Sequence, residues 1–270
     1  MTVPNYRDQI KIVFFDIDDT LYLKHEDFIP DSVQTIFRKL KQNGIIPAIA
    51  TGRTKASFPV KLKPILEQEN VETFVTMNGQ YATHQGKVVK YYPLQKQDLN
   101  RVIHFFKQHN IEYAFISNEA VIVSDITPEL KFALDPITTD YYPDPNYAEQ
   151  NEVCQLLAFY AEDKDQFVQD ADIYANLRTV RWHEYSVDIF DKQGSKARGI
   201  QNMLDHLGLD WHNTMAFGDG LNDIEMLTQA GVGVAMGNGH ADLKAVADYV
   251  TDSVAENGIY NFLVKAGLID

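Results

Sequence analysis

The run Ile12-Val13-Phe14-Phe15 ends abruptly in Asp16-Ile17-Asp18-Asp19-Thr20. Four apolar residues without polar alternation predict a strand buried on both faces, as in the centre of a parallel α/β sheet. Three carboxylates directly after it do not belong in a core. They belong at the mouth of such a sheet, where strand C-termini meet ligands. In extended geometry Asp16 and Asp18 point one way and Ile17 the other. Their mutual repulsion is relieved by a cation, and oxygen donors of this kind suit magnesium. Taken alone, the segment also reads as an acidic turn or a cluster of helix caps.

The neighbouring pattern supports the sheet. Val33, Ile36, Phe37 and Leu40 fall on one helical face, with Asp31 as N-cap and Gly44 as stop. Ile45–Ala50 and Thr73–Met77 read as further strands. After residue 195 the same alternation returns, with a helix over Lys196–Leu207 that has Ser195 as N-cap and Gly208 as stop, strands at Thr214–Phe217, Val232–Ala235 and Tyr249–Val250, and helices at Ile224–Ala230 and Ala241–Ala247. Between them lies a block of different character. It holds a hairpin about Gly86, a helix around Leu99–Gln108, and a second hairpin over Glu112–Val123. A proline-rich loop at 135–147 follows, then strands at 153–160, 177–182 and 185–190. The predicted fold is α/β: a doubly wound parallel-sheet, Rossmann-like core with an inserted α+β cap domain. The core covers 1–82 and 188–270, and the cap covers 83–187, with the first hairpin assignable to either side.

Composition narrows the function. The 270 residues carry 24 Lys+Arg against 38 Asp+Glu, a formal charge of −14. That excludes a nucleic-acid coat or a binder of anionic membranes, which need basic patches. The single cysteine, Cys154, cannot form an internal disulfide, and no apolar run reaches the ~18 residues of a membrane span. The expectation is a cytoplasmic monomer or homodimer acting on a small molecule.

Three other strand ends carry chemistry. Thr51-Gly52-Arg53 offers a hydroxyl and flexible amides for a phosphate oxygen, although Thr and Gly also suit an ordinary turn. Lys196 opens a helix behind Ser195, and a helix N-terminus with a lysine is an anion site; alone, it reads as a surface lysine. Gly218-Asp219-Gly220-Leu221-Asn222-Asp223 follows a strand and lacks calcium-loop spacing.

Together these segments resemble the four motifs of the haloacid dehalogenase superfamily of phosphatases, in the same order. The insertion falls where that superfamily places its large cap. Met77-Asn78-Gly79, Val234-Ala235-Met236-Gly237-Asn238 and Glu256-Asn257-Gly258-Ile259 resemble its Cof-like sugar-phosphatase branch. The resemblance implies Asp16 as nucleophile and Asp18 as general acid, then base. It implies that Thr51, Gly52, Arg53, Lys196 and Asn222 bind the phosphoryl substrate. Magnesium would sit on Asp16, the backbone carbonyl of Asp18, and Asp219, with Asp223 ligating or supporting it. The implied activity is a magnesium-dependent phosphomonoesterase for a small soluble ester, a sugar phosphate or a phosphorylated cofactor. A phosphosugar mutase of the same chemistry and a non-catalytic phospho-ligand sensor are the competing readings. Two positions depart from the pattern. Asp19 stands where glycine is usual, and Gln80 stands where a small residue follows Asn-Gly.

Residues 83–187 hold nine Lys+Arg and sixteen Asp+Glu, so the acidity extends into the insertion. Further negative charge on the leaving group is therefore disfavoured. A sugar monophosphate should show a higher kcat/KM than its bisphosphate. The reverse order would reveal a local basic patch that the net charge hides.

Overall fold

The structure is a computed structural model and describes residues 3–270. The chain forms two units. One comprises the described residues up to Gly52, Pro59–Lys90 and Ser195–Asp270; the other comprises Arg53–Phe58 and Tyr91–Gly194.

In the first unit the chain runs through β1 (Ile12–Phe15), α1 (Ser32–Gln42), β2 (Ile46–Ala50), α2 (Leu62–Gln68), β3 (Thr73–Thr76), β4 (Tyr81–His84) and β5 (Lys87–Tyr91). The second unit contains α3 (Lys96–His109), β6 (Glu112–Ile116), β7 (Val121–Val123), α4 (Pro128–Leu134) and β8 (Tyr141–Pro143). It continues with α5 (Tyr147–Gln150), β9 (Gln155–Phe159), α6 (Asp165–Asp170), β10 (Leu177–His183) and β11 (Ser186–Asp191). The first unit then resumes with α7 (Lys196–Leu207), β12 (Thr214–Gly218), α8 (Ile224–Gln229), β13 (Val232–Ala235), α9 (Ala241–Val246), β14 (Tyr249–Val250) and α10 (Gly258–Lys265).

The first unit's sheet has the order β14-β13-β12-β1-β2-β3-β4-β5 and is parallel from β14 to β3. The chain leaves β1 toward β2 on one side and later returns to β12 on the other. β1 is therefore the switch point, where the crossover helices part and leave a crevice at the strand C-termini. Ile12 and Phe14 face a core shared with Ile200, Met203, Leu204, Met226 and Leu227 of α7 and α8. On the opposite face Phe15 stacks on Phe217 at 5.5 Å and meets Phe37 of α1 edge-on at 5.6 Å. Phe217 in turn meets Phe262 of α10 at 5.8 Å. Burying both faces explains the unbroken apolar run of β1.

Helix ends follow the sequence signals unevenly. Ser195 Oγ accepts the Arg198 N–H at the start of α7, and Gly208 ends that helix at φ +65°. Asp31 precedes α1 but its side chain makes no capping hydrogen bond. The C-terminal helix α10 and the short α2 and α4 were not evident from periodicity. For α4 the signal is local: Thr127 accepts the Leu130 N–H, and Pro128 occupies the first helical turn.

The second unit is a six-stranded sheet of order β10-β11-β9-β6-β7-β8, antiparallel except for the β7–β8 pair. One face is closed by Leu99, Val102 and Phe106 of α3 and Val168 of α6. The expected loop at 135–147 contains β8, paired with β7. Pro143 fits because β8 is an edge strand, where a missing N–H breaks no ladder. The β4–β5 hairpin extends the first unit's sheet, whereas β11 is bonded to β9 and β10 in the second. The divisions fall after residues 90 and 194, close to the sequence boundaries at 82 and 187. Among the described residues no helix is long and apolar enough to cross a membrane.

Gly208 provides a clean test of helix termination. A Cβ there would meet nothing within 4 Å, so a substitution feels only the left-handed backbone. Gly208→Ala should cost about 1–2 kcal/mol, read from urea unfolding midpoints, with Gly208→Asn closer to wild type. An unchanged midpoint for Gly208→Ala would mean the helix ends otherwise in solution.

Candidate active site

Register brings the chemistry together. Phe15 pairs with Phe217 and with Ile49, so the residues after them emerge side by side. The Asp16 N–H donates to the Phe217 carbonyl at 3.0 Å, extending β1 by one bond. Beyond it the chain turns sharply. Asp19 adopts φ +54° and its N–H donates to the Tyr22 carbonyl at 2.7 Å. Aspartate tolerates this left-handed conformation better than most residues, so the turn survives without the usual glycine.

Lys196 enters from the first residue of α7. Its Nζ donates to Asp16 Oδ1 and to Asp223 Oδ1, each at 2.6 Å. The Lys196 and Asp223 side chains are wholly buried and that of Asp16 nearly so. The surface-lysine reading of Lys196 is thereby overturned: α7 packs its N-terminus against the strand ends, and the carboxylates compensate the buried charge. Asp223 Oδ2 accepts the N–H groups of Asp219 and Gly220, both at 3.0 Å. A Cβ on Gly218 would lie 2.4 Å from the Asp223 Cγ, so glycine is required for that approach. Thr20 Oγ1 donates to Asp219 Oδ1 at 3.2 Å, a contact the sequence did not indicate.

Asp16, Asp219 and Asp223 each present a carboxylate oxygen within 4.8 Å of the others. Opposed ligands on one magnesium stand about 4.2 Å apart, so the set, bounded at 4.8 Å, is slightly wider than one ion spans and would draw in on binding it. Its donors are all oxygen, the choice of a hard divalent cation. The charge balance agrees. Burial pushes Asp16 up to about 7, reinforced by Asp223 and Asp18 and opposed by Lys196. Burial, with repulsion from Asp16, Asp223 and Asp19, pushes Asp219 up to about 9. Burial favours neutral Lys196, but the two carboxylates outweigh it and hold the ammonium charged. One lysine is too little positive charge for this cluster.

The phosphate-gripping candidates divide. Thr51 is buried, with its N–H on the Val75 carbonyl at 2.9 Å, and Gly52 follows it. Asn222 donates from Nδ2 to Asn78 Oδ1 at 3.1 Å, and a Cβ on Gly52 would lie 3.3 Å from the Asn78 carboxamide. Asn78 thus joins the two. Arg53 belongs to the second unit, where its Nη1 donates to the carbonyls of Ser57 at 2.6 Å and Ile137 at 3.1 Å. Asp18 remains half-buried at the turn. Gln80, the second departure, is fully buried and its Oε1 accepts Arg198 Nη2 at 2.7 Å, so its bulk is used against the first turn of α7.

A switch-point crevice with a buried lysine, an aspartate at the end of the central strand and a compact acidic set defines a phosphatase-class hydrolase. The chain belongs to the haloacid dehalogenase-like hydrolase family, whose model matches residues 13–263. It is 35% identical over 262 residues to YkrA of Bacillus subtilis (strain 168), a candidate phosphatase by name, covering 96% of this chain and 98% of that one. It is also 35% identical over 264 residues to a candidate bifunctional phosphatase/peptidyl-prolyl cis-trans isomerase of Streptococcus pyogenes serotype M6. That match covers 97% of this chain but only 55% of the relative, so the chain spans about half of that protein's length. Among solved structures it resembles a subclass IIB sugar phosphatase of the same superfamily, with a TM-score of 0.85 and 29% identity, covering 96% of this chain and all of the other.

Removing the Lys196 ammonium strands two buried carboxylates. Lys196→Met should lower stability by about 3–5 kcal/mol, measured by urea unfolding in the presence of chelator. Lys196→Arg should not restore turnover, because a planar guanidinium does not fit a point-charge site. Wild-type stability for Lys196→Met would show that the pair carries no buried charge.

Proposed function

We propose that this chain hydrolyses small soluble phosphate monoesters, a sugar phosphate or a phosphorylated cofactor, through a phosphorylated Asp16 in a magnesium-dependent reaction. The observation that carries the reading is the Lys196 ammonium buried between Asp16 and Asp223 at the end of the central strand. It opposes the protonation that burial favours at Asp16, directs that carboxylate, and provides a cation where phosphoryl charge would sit. The phosphatase names of the relatives and the sugar phosphatase among the solved structures support the substrate class.

An Asp16 oxygen attacks phosphorus, forming the acyl–phosphate P–O bond as the bond to the substrate alcohol breaks. Asp18 gives its proton to the departing oxygen. As a carboxylate it then takes a proton from water, whose oxygen attacks the phosphorus. The bond to Asp16 breaks, inorganic phosphate leaves, and the Asp16 carboxylate is restored. The Thr51 hydroxyl, the Gly52 N–H, Lys196 and the Asn222 amide hold the phosphoryl oxygens. Two of the three Lys196 donors go to Asp16 and Asp223, which leaves one for substrate. Bound magnesium, held by Asp16, the Asp18 carbonyl and Asp219 with Asp223 behind them, would neutralise phosphoryl charge.

Hydrolysis of p-nitrophenyl phosphate tests this reading. Turnover should require magnesium, vanish in chelator and return on adding the ion. Asp16→Asn should reduce kcat by at least ~10³-fold, because it removes the attacking oxygen. Near-normal turnover in that variant would rule out the covalent route.

A further inference from the structure

We propose that Asn78 is a positioning residue for the phosphoryl grip, holding Asn222 and Gly52 in one frame from the turn after β3. The inference rests on the phosphatase reading above and adds a residue to it. Met77, Asn78 and Gly79 are three consecutive residues at positive φ, +52°, +52° and +84°. A left-handed run containing two non-glycine residues persists only where its surroundings over-determine it.

Those surroundings are the candidate site. The Asn78 N–H donates to the Thr51 carbonyl at 3.1 Å, tying the turn to the end of β2. A Cβ on Gly79 would stand 1.9 Å from the Ser195 carbonyl, so the turn abuts the residue before Lys196. The Asn78 side chain is buried, and its Oδ1 accepts Asn222 Nδ2 at 3.1 Å, across 144 residues of sequence. The same carboxamide lies in contact range of Gly52. One residue thus bonds the β2 end through its backbone and Asn222 through its buried side chain, which stands close beside Gly52.

The physical consequence concerns Asn222. Its side chain is half-buried on the short 3-10 turn Leu221–Asp223 and would otherwise choose among rotamers. With one Nδ2 hydrogen fixed on Asn78, the second hydrogen has a set direction. Phosphoryl transfer depends on such placement, and small misplacements cost large factors in rate. Asparagine suits the post because it tolerates left-handed backbone and supplies the acceptor.

A double-mutant cycle tests this. Asn78→Gly retains the backbone conformation and deletes the carboxamide. Asn222→Ala deletes the partner. Each should lower kcat/KM for p-nitrophenyl phosphate by about 10- to 100-fold and weaken inorganic phosphate binding in calorimetry, with little change in the thermal midpoint. The double variant should be no more than about twofold worse than the weaker single variant. Should Asn78→Gly not fold, Asn78→Asp keeps both turn and acceptor, and Asn222→Ala must cost as much in that background as in wild type. Independent, multiplying losses, or an unaltered kcat/KM in Asn78→Gly, overturn the positioning role while wild-type hydrolysis upholds the phosphatase reading. A wild-type chain that neither hydrolyses the ester nor binds phosphate overturns both.

Discussion

The Lys196 ammonium, buried between Asp16 and Asp223 at 2.6 Å from each, ties three segments of the chain to one point. Asp16 ends β1, Asp223 closes the loop after β12, and Lys196 begins α7. A buried charge without partners is costly, and two buried carboxylates without a cation are equally so. Each group therefore makes the others tolerable. The arrangement also commits the surrounding backbone: Asp223 takes the amides of Asp219 and Gly220 on its other oxygen, which forces glycine at 218.

The sheet supplies the frame that this interaction needs. Parallel order puts the C-termini of β1, β2 and β12 at one edge, and the change of direction at β1 keeps crossover helices out of the crevice. Behind the carboxylates the stacked Phe15 and Phe217 hold β1 and β12 in register. Apolar packing thus positions the polar cluster, and the cluster gives that packing a chemical use. The excess of carboxylates over ammonium groups in this confined space is also what makes the site suited to a divalent cation.

Two sequence departures show how the same geometry is reached with different residues. Asp19 takes the left-handed turn that glycine would take, and Lys24 stands 3.7 Å from its carboxylate. Gln80 fills a buried position beside α7 and binds Arg198. Both keep the backbone path while changing the charge and bulk around it.

Much of this was legible from residues 12–20 alone. An apolar run without alternation requires burial on both faces, and carboxylates directly after it require a strand end. The helical face of α1, the Ser195 cap and the Gly208 stop are local and were readable for the same reason. The edge strand β8 and the helices α2, α4 and α10 were not. Short elements bear little periodicity, and strand partners lie far apart in sequence. Arg53 shows the same limit: beside Thr51-Gly52 it reads as a phosphate ligand, and only the folded chain shows that its Nη1 donates to the carbonyls of Ser57 and Ile137. The sequence by itself determined the fold class, the strand-end carboxylates and the family, because these rest on local pattern and order. Only the tertiary structure decided that Lys196 is buried, that Asp223 accepts the amides of Asp219 and Gly220, and that Asn78 is bonded to both Thr51 and Asn222. Those outcomes depend on which distant segments share a hydrogen bond, and such pairing leaves no periodic trace along the chain.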